Sequence, residues 1–266
     1  MYKGKAIYNP SGKAGEYSLW ACNFYTGCSN NCQYCYCKRG VMAHTWSDKA
    51  KLKACFRDEK HALEVFEKEL EKNIDSLREH GLFFTFTSDP MLPETIVLTY
   101  SAVSVCLENN VPVKILTKRA DWFTTWYAYS NMFVNKQHLV AYGFTLTGYD
   151  ELEPGASTNQ QRVDFMQKLH NKGFKTWASI EPIIFPDASF EMIAETYKFC
   201  DHYKIGLQSG SRYNKKDLQS FVQGVVLLTD AALYFKDSLL DQAGIKRESL
   251  PSNCVGRDYN IFKEAL

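Results

Sequence analysis

At 266 residues the chain is long enough to bury a substantial core, and it suits one large domain or one domain with an extension. Hydrophobic residues at 45%, charged residues at 23% and a formal net charge of +1 are those of an ordinary globular protein and leave no global electrostatic pull towards nucleic acid or anionic membrane. No stretch approaches the roughly 18 apolar residues of a membrane span and the start has no secretory-signal pattern, so the expected location is the cytoplasm.

In chain order, residues 1–17 mix Lys, Gly, Pro and Ser and read as an irregular lead-in. Residues 18–24 are apolar and aromatic, a predicted strand that delivers the chain into a cysteine-rich loop. Residues 58–79 repeat apolar side chains at helical spacing, with Gly81 as the stop. Strands follow at 82–87, 111–117, 139–147, 174–180 and 203–208, separated by helices at 94–109, 121–133, 159–171 and 190–200. Strand then helix, repeated about six times over short connections, predicts an α/β fold with a parallel sheet and crossover helices. Its active face lies at the carboxyl ends of the strands, where Thr87 to Asp89, Thr117, Lys118, Thr145, Glu181 and Gln208 stand. Beyond Gly210 the pattern weakens. Residues 215–243 read as helical and 245–266 as irregular with a short final helix, giving a lead-in (1–17), a core (18–210) and a carboxyl-terminal extension (211–266) placed to cap the barrel mouth.

The chemistry is concentrated in residues 27–37, Gly-Cys-Ser-Asn-Asn-Cys-Gln-Tyr-Cys-Tyr-Cys. Five of the nine cysteines fall between Cys22 and Cys37, which suits reduced thiolate ligands better than a disulfide framework. Cys28, Cys32 and Cys35 form a C-x3-C-x2-C run that can reach three corners of an iron-sulfur cube and leave the fourth iron open. Ferredoxin spacings differ, and the distant second knuckle of a structural zinc site is missing. The competing reading is a zinc loop with Cys37 as fourth ligand, or buried structural thiols, in a non-catalytic protein. The six histidines are scattered without ligand spacing. Trp122, Phe123, Trp126, Tyr127 and Tyr129 suggest a base-stacking platform, but their partly helical spacing favours packing.

Residue by residue, Cys28, Cys32 and Cys35 match the motif of the radical S-adenosylmethionine (SAM) enzymes, and Tyr34 is the aromatic that family usually places before its third cysteine. Within that superfamily the chain resembles the branch of spore photoproduct lyase and the DNA repair photolyase-like proteins. The matching stretches are 27–36, 87–90 with Glu94, 114–118, 152–156 with Arg162, and the strand end at Pro182.

The resemblance implies a partial (β/α)6 barrel that binds a 4Fe-4S cluster through Cys28, Cys32 and Cys35. It also implies SAM held at Thr87 and Ser88, Lys118 and Thr145, with Tyr34 by the adenine and Glu181 towards the ribose or the substrate. An enzyme of lyase or transferase type follows. A reductant such as flavodoxin or ferredoxin feeds the cluster, SAM is cleaved to a 5'-deoxyadenosyl radical, and the radical takes a substrate hydrogen. The branch implies a nucleic-acid or nucleotide substrate, with a peptide or small metabolite as the alternative. Spore photoproduct lyase carries a hydrogen-donating cysteine where this chain has Phe86, so Cys37 is the candidate replacement.

Overall fold

The structure, a computed structural model, describes residues 1–44 and 46–263, except the side chains of residues 41, 42, 123, 124 and 126. The strands are β1 (Ile7–Tyr8), β2 (Ala21–Cys22), β3 (Tyr25–Thr26), β4 (Lys51–Leu52), β5 (Leu82–Phe84), β6 (Val113–Thr117), β7 (Val140–Thr145), β8 (Lys175–Ile183), β9 (His202–Leu207) and β10 (Ala232–Phe235). The helices are α1 (Glu59–Lys72), α2 (Ile74–His80), α3 (Ile96–Glu108), α4 (Phe123–Tyr129), α5 (Asn159–Asn171), α6 (Pro186–Thr196), α7 (Lys215–Leu228) and α8 (Asp237–Ala243). One sheet runs β1-β2-β5-β6-β7-β8-β9-β10. β2 and β5 to β10 pair in parallel, and β1 alone pairs antiparallel, with Ile7 opposite Cys22. β3 and β4 form a separate antiparallel ladder, Tyr25 opposite Leu52, that closes the base of the cysteine loop.

The expected parallel strands and crossover helices are all present, and the differences have local causes. The long helix divides at Asn73 into α1 and α2. The Asp58 carboxylate starts α1 by accepting from the backbone N–H of His61, and Ala62, Phe66 and Leu70 form its buried face. α5 has the bounds read from the sequence because Thr158 and Gln161 make a reciprocal capping box. The helix read over 190–200 begins earlier, with Pro186 in the first turn of α6. The lead-in is not wholly irregular, because Glu69 on α1 accepts from the backbone N–H groups of Lys5, Ala6 and Ile7 and fixes β1 at the sheet edge. The helix expected over 215–243 is interrupted by β10, which joins the sheet beside β9. Its apolar Ala-Leu-Tyr-Phe sequence suits a strand buried against neighbours as well as it suits a helix. Turns occupy residues 261–262, and the end of the expected final helix, 264–266, lies outside the described residues.

Of the aromatic run, Trp122 is buried and stacks on Tyr142, and Tyr129 packs on Tyr100, so both serve the core. Tyr127 is exposed, and the side chains of Phe123 and Trp126 lie outside the described residues.

The larger apolar cluster fills the space between sheet and helices, while Ala21, Phe83, Ala141, Trp177 and Ile261 form a smaller one inside the curve of the sheet. That inner space is tight. A Cβ on Gly143 would lie 2.1 Å from the indole of Trp177, which is itself packed against Tyr17 and Phe83. Gly143→Ala is therefore expected to destabilise the protein by about 1–3 kcal/mol through overpacking. Urea unfolding checks this, and an unchanged midpoint would mean that the indole has room to move.

Among the described residues the sheet does not close on itself by strand pairing; β1 and β10 are its two ends. The segment before β2 links the two sides. Lys13 Nζ donates to Ser209 Oγ at 3.1 Å, Lys204 Nζ donates to the carbonyls of Glu16 (2.7 Å) and Tyr17 (3.2 Å), and Lys236 pairs with Glu16 at 3.4 Å. At the opposite end of the chain, Tyr259 packs on His202 at the amino end of β9, and Ile261 enters the inner cluster.

Candidate active site

A cavity of about 530 Å³ opens at the carboxyl ends of the parallel strands. One wall is the cysteine loop, with Cys28, Cys32, Cys35 and Cys37, and the opposite wall carries Tyr17, Glu181 and Lys236. Tyr34, Thr87, Ser88, Lys118 and Thr145 line it as well, so every site residue expected from the sequence reaches the same space.

The loop is held from several directions. Gly27 takes φ +83°, and a Cβ there would sit 2.4 Å from the Lys49 carbonyl and the Ser47 hydroxyl, so glycine is required. The Cys28 N–H donates to the Ser47 carbonyl at 3.0 Å. Across the cavity rim, the turn at 152–155 grips the loop: Gln33 N–H donates to Leu152 O (2.8 Å) and Gly155 N–H to Asn30 O (3.1 Å). Gly155 has no room for a Cβ, which would lie 2.1 Å from Ser29 O. Glu153 turns inward, accepts from the Tyr34 hydroxyl and pairs with the fully buried Arg162. Arg162 in turn donates to the carbonyl of Thr145 at 2.6 Å, so one buried pair connects the cysteine loop, α5 and the end of β7.

Asp89 is the second organiser. Buried at the turn after β5, it accepts from Asn30 Nδ2 (2.7 Å), Thr117 Oγ1 (2.7 Å), Lys118 N–H (2.8 Å) and Met91 N–H (2.9 Å). Its charge is thereby fully engaged in joining the loop to β6.

Several polar groups in the cavity wall have no protein partner. Among the described residues the Ser88 hydroxyl and Asn30 Oδ1 are buried without a hydrogen bond, and Lys118 Nζ makes none, lying 5.6 Å from the centroid of the Tyr34 ring. Burial opposes the Lys118 charge, but Cys32 and Glu153 outweigh it and hold the pKa above its ordinary value. Thr87 donates to Tyr25 O at 2.5 Å, which leaves its oxygen free to accept. These open groups suit a ligand with both amine and carboxylate.

The thiols differ in character. Burial, with Asp89 adding, pushes Cys28 up to about 12, and burial likewise raises Cys32. Cys35 is pulled down to about 6 by a hydrogen bond from Cys37, whose own pKa rises in consequence. Cys37 Sγ lies 3.7 Å from the carbonyl of Phe86, which also accepts from Tyr36. Among the described residues no three His, Cys, Asp or Glu side chains converge on a single-ion position. The donor set of three thiols on one loop beside an open cavity fits an iron-sulfur cluster.

Glu181 has both oxygens engaged: Lys236 lies 2.7–2.8 Å away and Tyr17 OH donates at 2.5 Å. Tyr17 and Lys236 complete the site and were not singled out from the sequence, whereas Asp89 was named among the strand-end residues without a role. Tyr17 and Lys236 come from segments read as lead-in and extension, and nothing in their local sequence marks them.

A family model described as the Radical SAM superfamily matches residues 22–200, well over half of the chain. No curated protein matches the chain. Among solved structures, SuiB of Streptococcus suis bound to S-adenosylmethionine superposes with a TM-score of 0.52 at 12% identity, covering 82% of this chain and 51% of that one. SuiB bound to its precursor peptide SuiA gives 0.53 at 12% identity, over 84% and 50%. At that identity the likeness is one of fold, and the chain spans about half the length of SuiB. Among the described residues no helix is long and apolar enough to cross a membrane. The matched stretch begins at the strand that leads into the cysteine loop and ends just before β9, and this chain belongs to the radical SAM superfamily, whose enzymes use a 4Fe-4S cluster, SAM and an external reductant.

Proposed function

We propose that Cys28, Cys32 and Cys35 hold the 4Fe-4S cluster and that SAM lies across the cavity between them and the strand ends. Thr87 accepts from the methionine amine, Ser88 supplies a further hydroxyl, Lys118 pairs with the methionine carboxylate, Thr145 lies by the same group and Tyr34 by the adenine. The observation that carries this reading is the convergence in one cavity of the three loop thiols, the Lys118 ammonium and a buried Ser88 hydroxyl that has no hydrogen bond among the described residues. When bound, cluster and SAM supply a 5'-deoxyadenosyl radical that removes a hydrogen atom from the substrate.

The chain's own groups orient and enclose. Lys118 fixes one end of the ligand by a charge-assisted contact. Tyr17, Phe86 and Glu181 form the facing wall and exclude water from the space between. Glu181 stands towards the ribose or the substrate. Cys37, turned to the Phe86 carbonyl, would give its S–H hydrogen atom to the product radical, and the thiyl so left would regain one from 5'-deoxyadenosine. The core covers residues 18–210, and residues 211–266 form an extension that adds β10 and Lys236. For substrate, the photolyase-like landmarks favour a nucleic acid or nucleotide and an enzyme of lyase type, with flavodoxin or ferredoxin as reductant.

The test is anaerobic reconstitution with iron and sulfide, followed by electron paramagnetic resonance of the reduced protein with and without SAM. A four-iron signal that SAM alters, with 5'-deoxyadenosine released, is expected; uptake of zinc alone, or a cluster indifferent to SAM, overturns the reading. Lys118→Ala is expected to weaken SAM binding about 10- to 100-fold, the worth of one hydrogen bond to a charged group. Calorimetric titration of the reconstituted variant measures it, and an unchanged affinity would remove Lys118 from the site.

A further inference from the structure

Below the active cavity the inner face of the sheet encloses a second, much smaller one, about 10 Å³ in volume, with room for a single small occupant. Tyr17 lines both cavities and separates them. The small cavity is bounded by Lys114 on β6, Trp177 on β8, and His202 and Lys204 on β9, and is closed from beneath by Tyr259.

Its lining is rich in donors and has no carboxylate. Trp177 is 2% exposed and its Nε1–H has no partner among the described residues. Lys114 is buried, and its one hydrogen bond to the protein among the described residues is a long 3.4 Å contact with the His80 carbonyl. Lys204 is also buried and donates to the carbonyls of Glu16 and Tyr17. Neither lysine has a carboxylate at ion-pair distance among the described residues, and the two charges repel each other. Burial pushes the Lys114 ammonium down to about 8, and burial with the Lys114 and Lys236 charges holds Lys204 well below its ordinary value, against a weaker opposing pull from Glu181 and Glu16. His202 engages Nδ1 with the Ala232 carbonyl at 2.7 Å, so that nitrogen carries the proton, and Nε2 can take another only beside a negative charge.

Buried donors without acceptors are costly, and buried like charges more so. Water could donate to His202 Nε2, but it would leave the lysine charges without a counterion. An anion brings only acceptor capacity and offsets the lysine charges. We propose that this cavity binds one small monovalent anion of the halide class, held by Lys114 Nζ, Lys204 Nζ and the Trp177 indole N–H. The anion keeps Lys204 charged, and Lys204 fixes the Glu16 and Tyr17 carbonyls that carry the far wall of the active cavity. The site is independent of the cofactor assignment.

The test replaces chloride with bromide throughout purification and crystallisation of the reconstituted protein, with diffraction data at the bromine edge. An anomalous peak in the cavity, within hydrogen-bond reach of Lys114 and Trp177, is expected. A companion measurement compares thermal midpoints in chloride and gluconate at equal ionic strength, with the higher midpoint expected in chloride. Lys114→Met should lose both the peak and the chloride dependence, and it should fold because it removes a buried charge. Trp177→Phe, which removes one N–H and leaves an aromatic ring, should lower the bromide occupancy. Water density without anomalous signal, or a peak that persists in Lys114→Met, overturns the proposal.

Discussion

Replacing any one of Cys28, Cys32 or Cys35 with alanine is expected to reduce bound iron to a small fraction of wild type and to lower 5'-deoxyadenosine release by at least about 100-fold, since removal of a cluster ligand is removal of the cofactor's attachment. The three thiols are not interchangeable in their surroundings. Cys28 is tied by its backbone to Ser47, Cys32 is buried under the loop, and Cys35 accepts a hydrogen bond from Cys37. They share the cavity wall, and this predicts a common loss. Cys37→Ala is the control. Cys37 lies outside the C-x3-C-x2-C run, so iron and sulfide content should stay near wild type while product formation falls. Iron and sulfide assays with electron paramagnetic resonance separate the two results. Equal iron loss in Cys37→Ala would make Cys37 a ligand and restore the four-thiolate zinc or cluster reading.

Glu153→Ala is expected to be the most destabilising single change, by about 3–5 kcal/mol, because it leaves the Arg162 charge in the interior without its main partner. Both side chains are 0% exposed. The other carboxylate near Arg162, Asp150, is 3.6 Å away and partly in solvent. For a chain of this size the thermal midpoint should fall on the order of 10 °C. The same change releases the Tyr34 hydroxyl, so the cysteine loop should loosen and reconstitution should yield less iron even in protein that remains folded. Tyr34→Phe removes that contact alone and should cost about 1 kcal/mol. Replacing both charges, Glu153→Leu with Arg162→Met, should recover part of the loss. A fall below about 1 kcal/mol for Glu153→Ala would show that water or Asp150 takes over the role, against the buried-pair account.

Glu153 illustrates how legible the site is in the sequence. Its turn, followed by Arg162, is a landmark of the family resemblance, and the local sequence leaves open whether the carboxylate faces solvent or the site. In the fold it faces neither; it is buried beneath the loop, where it orients Tyr34. Tyr17 shows the other limit. It stands in a segment of Lys, Gly, Ala and Glu with no periodicity, yet it contacts Ser179 and Glu181, more than 160 residues away. The inward lysines Lys114 and Lys204 were equally unreadable, since strands of a parallel sheet are buried on both faces and hydrophobic alternation does not reveal which face a lysine occupies.

By itself the sequence determined the cysteine spacing, the order of strands and helices, and the polar residues at the strand ends. Each of these depends on interactions within a few residues: thiols that must reach one cluster from one loop, caps that bond within a turn, side chains at fixed periods. Only the tertiary structure decided that β10 joins the sheet and that the chain's beginning bridges to β9 and Lys236. It alone brought Tyr17, Glu181 and Lys236 together into the far wall of the cavity, and placed two buried lysines at its floor. Those outcomes rest on pairings between distant segments, which form when the sheet curves and brings its edges near each other, and no local preference encodes them.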